Sequence, residues 1–289
     1  MARITQLLDA GPTLSFEFSA PRDEAGVERL RQTLSRLSLH QPQFMSVTYG
    51  AGGTTRGPTR DWVHTIREDF DIEAMPHLTC VAHTRDDVAG IIDDYRSDGI
   101  ENILALRGDL PQTPESASQA VDQTFDTAAE LVSFIREQAD WDVGVAAHPE
   151  GHPMARSREA DLTHQAAKLA EADFALTQFF YRAEYYEQFV GQLLARGVDI
   201  PVIPGVMPPT NVAGIERMSA LNNTEFPSEI RERLDAAHSA AERREVGVEV
   251  AVNLGRELLE LGAPGLHVYT MNFSRAASEV ASALGWPAV

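Results

Sequence analysis

The chain has a single cysteine, Cys80, and no long apolar run. One cysteine rules out an intramolecular disulfide and a metal site built from several thiolates, so a small core residue is the expected role. No apolar stretch approaches the roughly 20 residues that a membrane-spanning helix needs. The first ten residues, M-A-R-I-T-Q-L-L-D-A, also have no secretory apolar segment or cleavage site. We therefore expect a cytoplasmic protein.

Positive charge is scarce as well. The 289 residues include 24 Lys and Arg against 43 Asp and Glu, which gives a net charge of −19. Like-charged surfaces repel, so this balance disfavours nucleic acid and anionic membranes as partners. Lys168 is the one lysine in a chain that otherwise uses arginine. Either a compact ammonium is needed at that position, or a rare residue has survived there by chance.

Short apolar runs of strand length alternate with segments of helical periodicity along the chain. The runs are 14–18, 44–47, 74–78, 103–106, 143–147, 174–176, 202–203 and 266–269. The helical segments between them are 27–37, 60–68, 86–97, 126–138, 161–171 and 185–196. This alternation predicts a parallel sheet with right-handed crossovers. With 43% apolar content, residues 1–289 are expected to form one domain.

The interval between the seventh and eighth runs is longer than the others. It carries three further helical segments, 212–221, 229–239 and 242–261, with Ser228 and Gly262 as start and stop signals. No G-x-G-x-x-G turn follows the first run, so an open dinucleotide-binding sheet fits less well. We predict an α/β fold, a closed (β/α)8 TIM barrel with extra helices between strands 7 and 8.

In such a barrel the active site lies at the carboxyl ends of the strands. Seven of the eight predicted strand ends carry a polar or ionisable residue: Glu17, Thr48 with Tyr49, His77, Arg107 with Asp109, His148, Gln178, and Tyr269 with Asn272. Solvated residues would scatter over the loops, so this bias indicates a site. Any single member also fits a buried polar residue with internal partners.

Two of these strand ends leave alternatives open. Glu17 lies between Phe16 and Phe18, and desolvation there favours the protonated carboxyl of a general acid. A barrel arginine that neutralises Glu17 is an equally good reading. Arg107 and Asp109 flank Gly108, which lets the backbone turn; they fit a ligand site or a solvated loop equally well.

Eight motifs, in order along nearly the whole chain, resemble the methylenetetrahydrofolate reductases of the short bacterial type. They are S-F-E-F, S-V-T-Y-G-A-G, P-H-L-T-C, L-A-L-R-G-D-L-P, H-P-E-G-H-P, the segment 161–168, T-Q-F-F-Y and P-G-V-M-P. The resemblance implies an FAD enzyme that oxidises NAD(P)H and reduces 5,10-methylenetetrahydrofolate to 5-methyltetrahydrofolate, which supplies methyl groups for methionine synthesis. It also implies that the two substrates take turns at one flavin face.

The resemblance further implies roles for individual residues. Glu17 would be the general acid that opens the five-membered folate ring, Asp109 would tune the flavin and meet the pterin, and Gln178 would bind the pterin. Implied FAD contacts are Thr48, His77, Leu106, Arg107, Asp109, Ala146, His148, His152, Asp161, Lys168 and Ala172. Implied substrate contacts are Glu17, Asp109, Gln178, Phe180, Met218 and Tyr269. No metal is implied, and a homo-oligomer is the expected assembly.

Several positions depart from the family pattern. His148 stands where a tyrosine is common, and Phe18 is followed by Ser19, Ala20 and Pro21 in place of F-P-P. Met218 and Phe273 occupy positions where phenylalanine and arginine are sometimes found. Two alternatives remain: a flavin-independent reductase on the same barrel, and a barrel that binds flavin or folate without catalysis. A metal-dependent aldolase-type barrel ranks last, because a convergent set of histidines and carboxylates is missing.

Overall fold

A parallel sheet curved into a nearly closed barrel forms the centre of the molecule. The computed structural model describes residues 2–50, 56–81, 83–108 and 125–289. Within these residues the sheet has nine strands in the order β7-β6-β5-β4-β3-β2-β1-β9-β8. They are β1 (Thr13–Ser19), β2 (Phe44–Thr48), β3 (Glu73–Thr79), β4 (Asn102–Leu106), β5 (Asp142–Ala147), β6 (Phe174–Thr177), β7 (Val202–Ile203), β8 (Gly205–Val206) and β9 (Gly265–Tyr269).

The seventh predicted strand, 202–203, is β7, and an unpredicted short strand, β8, follows it beyond Pro204. Strand β7 pairs with β6, through Ala175 and Val202, and β8 pairs with β9, through Gly205 and His267. Proline has no N–H to donate, so the ladder changes partner at this residue. The two short strands together bridge the sheet edges, and the predicted eight-part barrel is confirmed.

Helices surround the barrel in the predicted places, with ends shifted by a few residues. They are α1 (Ile4–Asp9), α2 (Glu24–Leu37), α3 (Arg56–Phe70), α4 (Arg85–Ser97), α5 (Ala128–Gln138), α6 (Arg158–Leu169), α7 (Ala183–Leu194), α8 (Val212–Asn222), α9 (Ser228–Asp235), α10 (Ala240–Glu260) and α11 (Ser274–Ala283). A 3-10 turn, Ser38–His40, follows α2. The extra helices α8 to α10 are confirmed, whereas the sequence did not predict α1 or α11. Among the described helices, none has the length and apolar content to cross a membrane.

Local signals explain several helix ends. Ser157 and Asn211 cap α6 and α8 by accepting hydrogen bonds from Ala160 N and Gly214 N. Gly262 has a φ of +85° just beyond α10, which confirms its role as a stop signal. Ser228 is the first residue of α9 and the preceding proline takes the cap position.

The lower half of the barrel interior is apolar and closed. Phe44, Met75, Leu104, Phe174, Leu176 and Ile203 form a buried cluster there with Ile4 of α1. Ile4 N donates to Asn102 Oδ1 at 2.8 Å, and Thr5 donates to Asp142 Oδ2 from its N at 2.8 Å and its Oγ1 at 2.6 Å. Asn102 and Asp142 begin strands β4 and β5, so α1 covers the amino end of the barrel. Among the described residues, the carboxyl end is therefore the end of the barrel interior that can hold a site.

Candidate functional site

Strand alternation brings the predicted residues of the first five strands to the carboxyl-end mouth of the barrel. Side chains two residues apart share a face of a strand, and the apolar cluster of the lower barrel identifies the inner face. Continuing that face upward places Glu17, Thr48, His77, Leu106 and Ala146 inside. In register, Glu17 pairs with Ser46 and Tyr269, and Ser19 pairs with Thr48.

Two buried imidazoles flank the carboxyl of Glu17. Nε2 of His77 and Nε2 of His267 each lie 3.7 Å from Glu17 Oε2, and the Glu17 side chain is 20% exposed. Burial lowers the pKa of His77 to about 4, with Glu17 raising it and His267 lowering it further. His77 is therefore neutral at pH 7. Within the described residues, histidines rather than an arginine face Glu17, because no arginine or lysine nitrogen comes within 4.0 Å of its carboxyl.

Sequence reasoning missed His267. It lies inside the apolar run 266–269, two residues before Tyr269, and so it faces the barrel interior one layer deeper. The two-residue spacing between His267 and Tyr269 was the sequence pattern that could have identified His267.

The end of β1 is held rigidly in place. Thr270 Oγ1 donates to Glu17 O at 2.6 Å, and Tyr269 Oη donates to Thr177 O at 2.7 Å. Asn272 accepts from Ser19 N at 2.9 Å and donates to Ser19 O at 2.8 Å. Burial, then the nearby Glu17 carboxyl, raise the pKa of Tyr269 well above its usual value, so its hydroxyl stays neutral. These bonds fix the position of Glu17 along the barrel axis.

The turn after β4 supplies a cation to the mouth. Gly108 has a φ of +84°, and a Cβ there would lie 2.9 Å from Thr79 Cβ, so the predicted need for glycine is confirmed. Arg107 is half-buried, its Nη2 lies 3.3 Å from Met154 Sδ, and it has no carboxylate partner among the described residues. Asp109 lies outside the described residues, and its role stays a prediction.

One face of α6 carries Asp161, Gln165 and Lys168, spaced by about one helical turn. Lys168 Nζ donates to Ala146 O at 2.6 Å. Asp161 Oδ2 accepts from Gln165 Nε2 at 2.8 Å and from His152 N at 3.2 Å. Burial lowers the pKa of Lys168 to about 8, while Asp161 acts to raise it. The ammonium is buried beside the mouth, and no carboxylate of the described residues bonds to it directly.

Gln165, which sequence reasoning also missed, joins this helix to the loop after β5. Its Oε1 accepts from His148 N at 2.7 Å and its Nε2 donates to His148 O at 3.0 Å. The signal for it was its position one turn after Asp161 on the same helix face.

His148 and His152 pack edge to face, with ring centroids 4.8 Å apart. His148 Nδ1 is buried and has no hydrogen-bond partner within the part of the chain that the structure describes. Burial, helped by the charge of Lys168, lowers the pKa of His148 to about 3, and burial also lowers that of His152. Both rings are neutral at pH 7. In the part of the chain that the structure describes, no three or more His, Cys, Asp or Glu side chains are arranged to hold a metal ion.

The residues that follow β6 form one wall of the mouth, and their arrangement differs in part from the predicted substrate contacts. Gln178 accepts from Phe179 N at 3.0 Å, and its own N donates to Ala147 O at 2.7 Å. Phe179 belongs to an apolar cluster against which Met218 of α8 and Tyr269 pack. Phe180 is fully buried in the outer core, with its ring stacked on Tyr186. The structure therefore brings Phe179, rather than Phe180, to this wall.

Ala172 is also not at the mouth. It lies in the turn between α6 and β6, where its N donates to Leu169 O at 3.1 Å. The next residue, Asp173, bonds Val143 O at the start of β5. This turn belongs to the amino end of the barrel, opposite the residues assembled above.

The chain is similar to a well-defined set of proteins. The family model described as methylenetetrahydrofolate reductase matches residues 3–285. The 5,10-methylenetetrahydrofolate reductase of Pectobacterium carotovorum subsp. carotovorum is 36% identical over 274 residues, covering 94% of this chain and 90% of that protein. That of Salmonella typhimurium is 37% identical with the same coverage. Methylenetetrahydrofolate reductase (NADH) 1 of Zea mays is 33% identical, covering 96% of this chain and 49% of that protein.

A solved structure shares the barrel at much lower identity. It is an uncharacterized protein from Clostridium thermocellum, described as binding two copies of 5-methyl-5,6,7,8-tetrahydrofolic acid, with a TM-score of 0.65, 12% identity and 96% coverage of both chains. At that identity the likeness shows the fold alone. The family model and the bacterial relatives, which match most of the chain, show more: the chain belongs to the methylenetetrahydrofolate reductase family of oxidoreductases.

Proposed function

We propose that this protein reduces 5,10-methylenetetrahydrofolate to 5-methyltetrahydrofolate with electrons from NAD(P)H, through bound FAD. The two substrates alternate at one flavin face, which gives ping-pong kinetics. Because the chain belongs to this family, one structural observation supports the proposal most directly. Glu17 stands at the mouth as a partly exposed carboxyl between two buried imidazoles, with no arginine or lysine beside it in the described residues.

The cationic side of the mouth suits the diphosphate of FAD. The Lys168 ammonium is buried and has no direct bond to a carboxylate of the described residues. After burial, the charges of Lys168 and Arg107 lower the pKa of His152, so the three groups lie close together. Charge-assisted bonds from such cations are the usual way to hold a phosphate. His148 Nδ1, buried and without a partner, offers one more polar contact. When bound, FAD supplies hydride transfer from the nicotinamide to the one-carbon unit.

The side of the mouth that carries Glu17 suits opening of the five-membered ring of the folate. A protonated Glu17 donates its proton to the leaving nitrogen of the five-membered ring, and the one-carbon unit becomes an iminium that accepts hydride. The Gln178 amide offers both a donor and an acceptor to the pterin, and Asp109 is proposed to meet it from the β4 turn. Phe179, Met218 and Tyr269 form the apolar wall.

Separate half-reactions test the proposal. The purified protein is titrated with FAD, and the oxidation of NADH and NADPH is then followed with an artificial electron acceptor and with methylenetetrahydrofolate. We expect saturable FAD binding, nucleotide oxidation with either acceptor, and 5-methyltetrahydrofolate as product. Folate reduction by protein that takes up no FAD would instead support the flavin-independent reductase. Binding of FAD and folate without any turnover would support a non-catalytic barrel.

A further inference from the structure

His267 lies one layer below the mouth and is fully buried. Its Nδ1 is 2.8 Å from Ser15 Oγ, and Ser15 Oγ itself donates to Leu266 O at 3.3 Å. A serine hydroxyl has one proton to give. When that proton goes to the Leu266 carbonyl, Ser15 Oγ accepts from His267, Nδ1 carries the ring proton, and Nε2 faces Glu17 as an acceptor.

That acceptor faces the acid. His267 Nε2 lies 3.7 Å from Glu17 Oε2, is buried, and forms no hydrogen bond with the described residues. The ring of Phe44 stacks on the imidazole at 6.1 Å and 15°, which fixes its plane. A nitrogen lone pair repels a carboxylate oxygen but accepts a hydrogen bond from a protonated carboxyl. Catalytic hydrogen bonds are often long in a ligand-free site and shorten when substrate binds.

We propose that Ser15 and His267 form a positioning pair that orients the Glu17 carboxyl for proton donation. This inference rests on the function proposed above and assigns His267 a part in it as a positioning residue. In the step that it supports, the Oε2–H bond of Glu17 breaks and an N–H bond forms on the folate. The Glu17 side chain is 20% exposed, so the resulting carboxylate regains a proton from water before the next turnover.

The other groups around Glu17 agree with this assignment. Its titratable neighbours in the described residues are His77 on β3 and His267 and Tyr269 on β9. Burial lowers the pKa of His77 to about 4 and raises that of Tyr269, so both stay neutral at pH 7. Among the ion pairs of these residues, Glu17 has none with a fixed positive charge that would stabilise its carboxylate.

Nitrogen NMR of the protein labelled with ¹⁵N-histidine tests the location of the proton without cofactor or substrate. We expect His267 to show a protonated Nδ1 and an unprotonated Nε2 at neutral pH, with its signals assigned by their loss in His267→Phe. A ring protonated on both nitrogens would mean an ion pair with a Glu17 carboxylate, and it would overturn the inference. A proton on Nε2 alone would overturn it too.

A serine variant tests the consequence for turnover. Ser15→Ala removes the acceptor for Nδ1–H, so the ring is free to place its proton on Nε2 and stabilise the Glu17 carboxylate. We expect folate reduction to fall by at least about tenfold at neutral pH, less than the loss of a general acid costs, and its alkaline limb to move to lower pH. Flavin reduction by NADH is expected to stay unchanged.

Thr13→Val is the matched control. Thr13 lies on the same strand one layer deeper, and its hydroxyl is buried without a hydrogen-bond partner. We expect this variant to keep the wild-type pH profile. If Ser15→Ala and Thr13→Val have the same profile, the positioning pair is refuted while the reductase assignment stands. A wild-type protein that never reduces folate refutes the assignment, and the NMR result still decides where the proton lies.

Discussion

The two ends of the barrel treat buried polar residues in opposite ways. At the amino end, Asn102 and Asp142 accept hydrogen bonds from Ile4 and Thr5, and the short helix α1 covers the opening. At the carboxyl end, three buried imidazole nitrogens have no hydrogen-bond partner among the described residues: Nε2 of His77, Nε2 of His267 and Nδ1 of His148. Buried polar atoms without partners are costly, so a cluster of them indicates groups that await a ligand.

Thr13 and Glu73 are exceptions at the amino end. The Thr13 hydroxyl and both carboxyl oxygens of Glu73 are buried without a hydrogen-bond partner among the described residues. Burial raises the pKa of Glu73, while Arg67 acts to lower it. Unpartnered buried atoms therefore indicate a site where they line an open end of the barrel together, and not at the end that α1 covers.

The largest expected effect is a loss of turnover when Glu17 at the mouth is substituted. Glu17→Gln keeps the shape of the side chain and removes the proton donor. We expect folate reduction to fall by about 10²- to 10⁴-fold, the usual contribution of a general acid. NADH oxidation with an artificial acceptor is expected to continue, as measured by the two assays on one preparation. Exposed Glu257→Gln is the control, and equal folate turnover in the two variants would remove Glu17 from the chemistry.

Removing the buried cation is expected to act on cofactor binding. Lys168→Met keeps nearly the length of the side chain and removes its positive charge. We expect FAD to bind about 10- to 100-fold more weakly, the range for losing one hydrogen bond to a charged group, as measured by fluorescence titration. Arg196→Met removes an exposed cation that pairs with Glu159 at 2.9 Å and should leave FAD affinity nearly unchanged. The same affinity in both variants would refute the cationic side as the diphosphate site.

At the amino end the expected effect is on stability alone. Asp142→Ala leaves Thr5 N and Thr5 Oγ1 without their acceptor. We expect the free energy of unfolding to fall by about 2 kcal/mol, while the activity of the folded protein is retained. Urea unfolding and steady-state rates check both statements. Asp140→Ala, whose side chain is 92% exposed, should cost less, and a loss of turnover in Asp142→Ala would break the division between the two ends.

The smallest expected effect is a pH dependence of FAD binding. Burial lowers the pKa of Lys168 to about 8, and a bound diphosphate would raise it again. Binding then takes up a proton above about pH 8, so FAD affinity should fall as the pH rises, by at most about tenfold per unit. Titrations between about pH 7 and 9 measure this slope. Lys168→Met should lack it, and a slope that persists in that variant must come from another group.

Much of this arrangement could be predicted from the sequence, because period-2 alternation and parallel strands fix which side chains meet. Glu17, Thr48, His77 and Ala146 lie at the mouth for that reason. The alternation of side chains gives no prediction where the chain leaves a strand. After Thr177 the alternation no longer applies, so Phe179 and not Phe180 reaches the wall.

Other features depend on distant partners. Helix α1 has six residues, too few to be stable alone. Its first backbone groups donate to Asn102 and Asp142, which lie 98 and 137 residues away in sequence, so the helix depends on contacts that local sequence does not show. The contact between His267 and Glu17 depends on β1 pairing with β9 at opposite ends of the chain.

The most direct test of the account is a single turnover with separated halves. The FAD-loaded protein is reduced with NADH in the absence of oxygen, freed of nucleotide, and mixed with methylenetetrahydrofolate while the flavin absorbance is recorded. We predict that the flavin is reoxidised and that one 5-methyltetrahydrofolate forms per flavin, quickly in the wild type and slowly in Glu17→Gln. A reduced flavin that stays reduced in the presence of the folate would contradict the account.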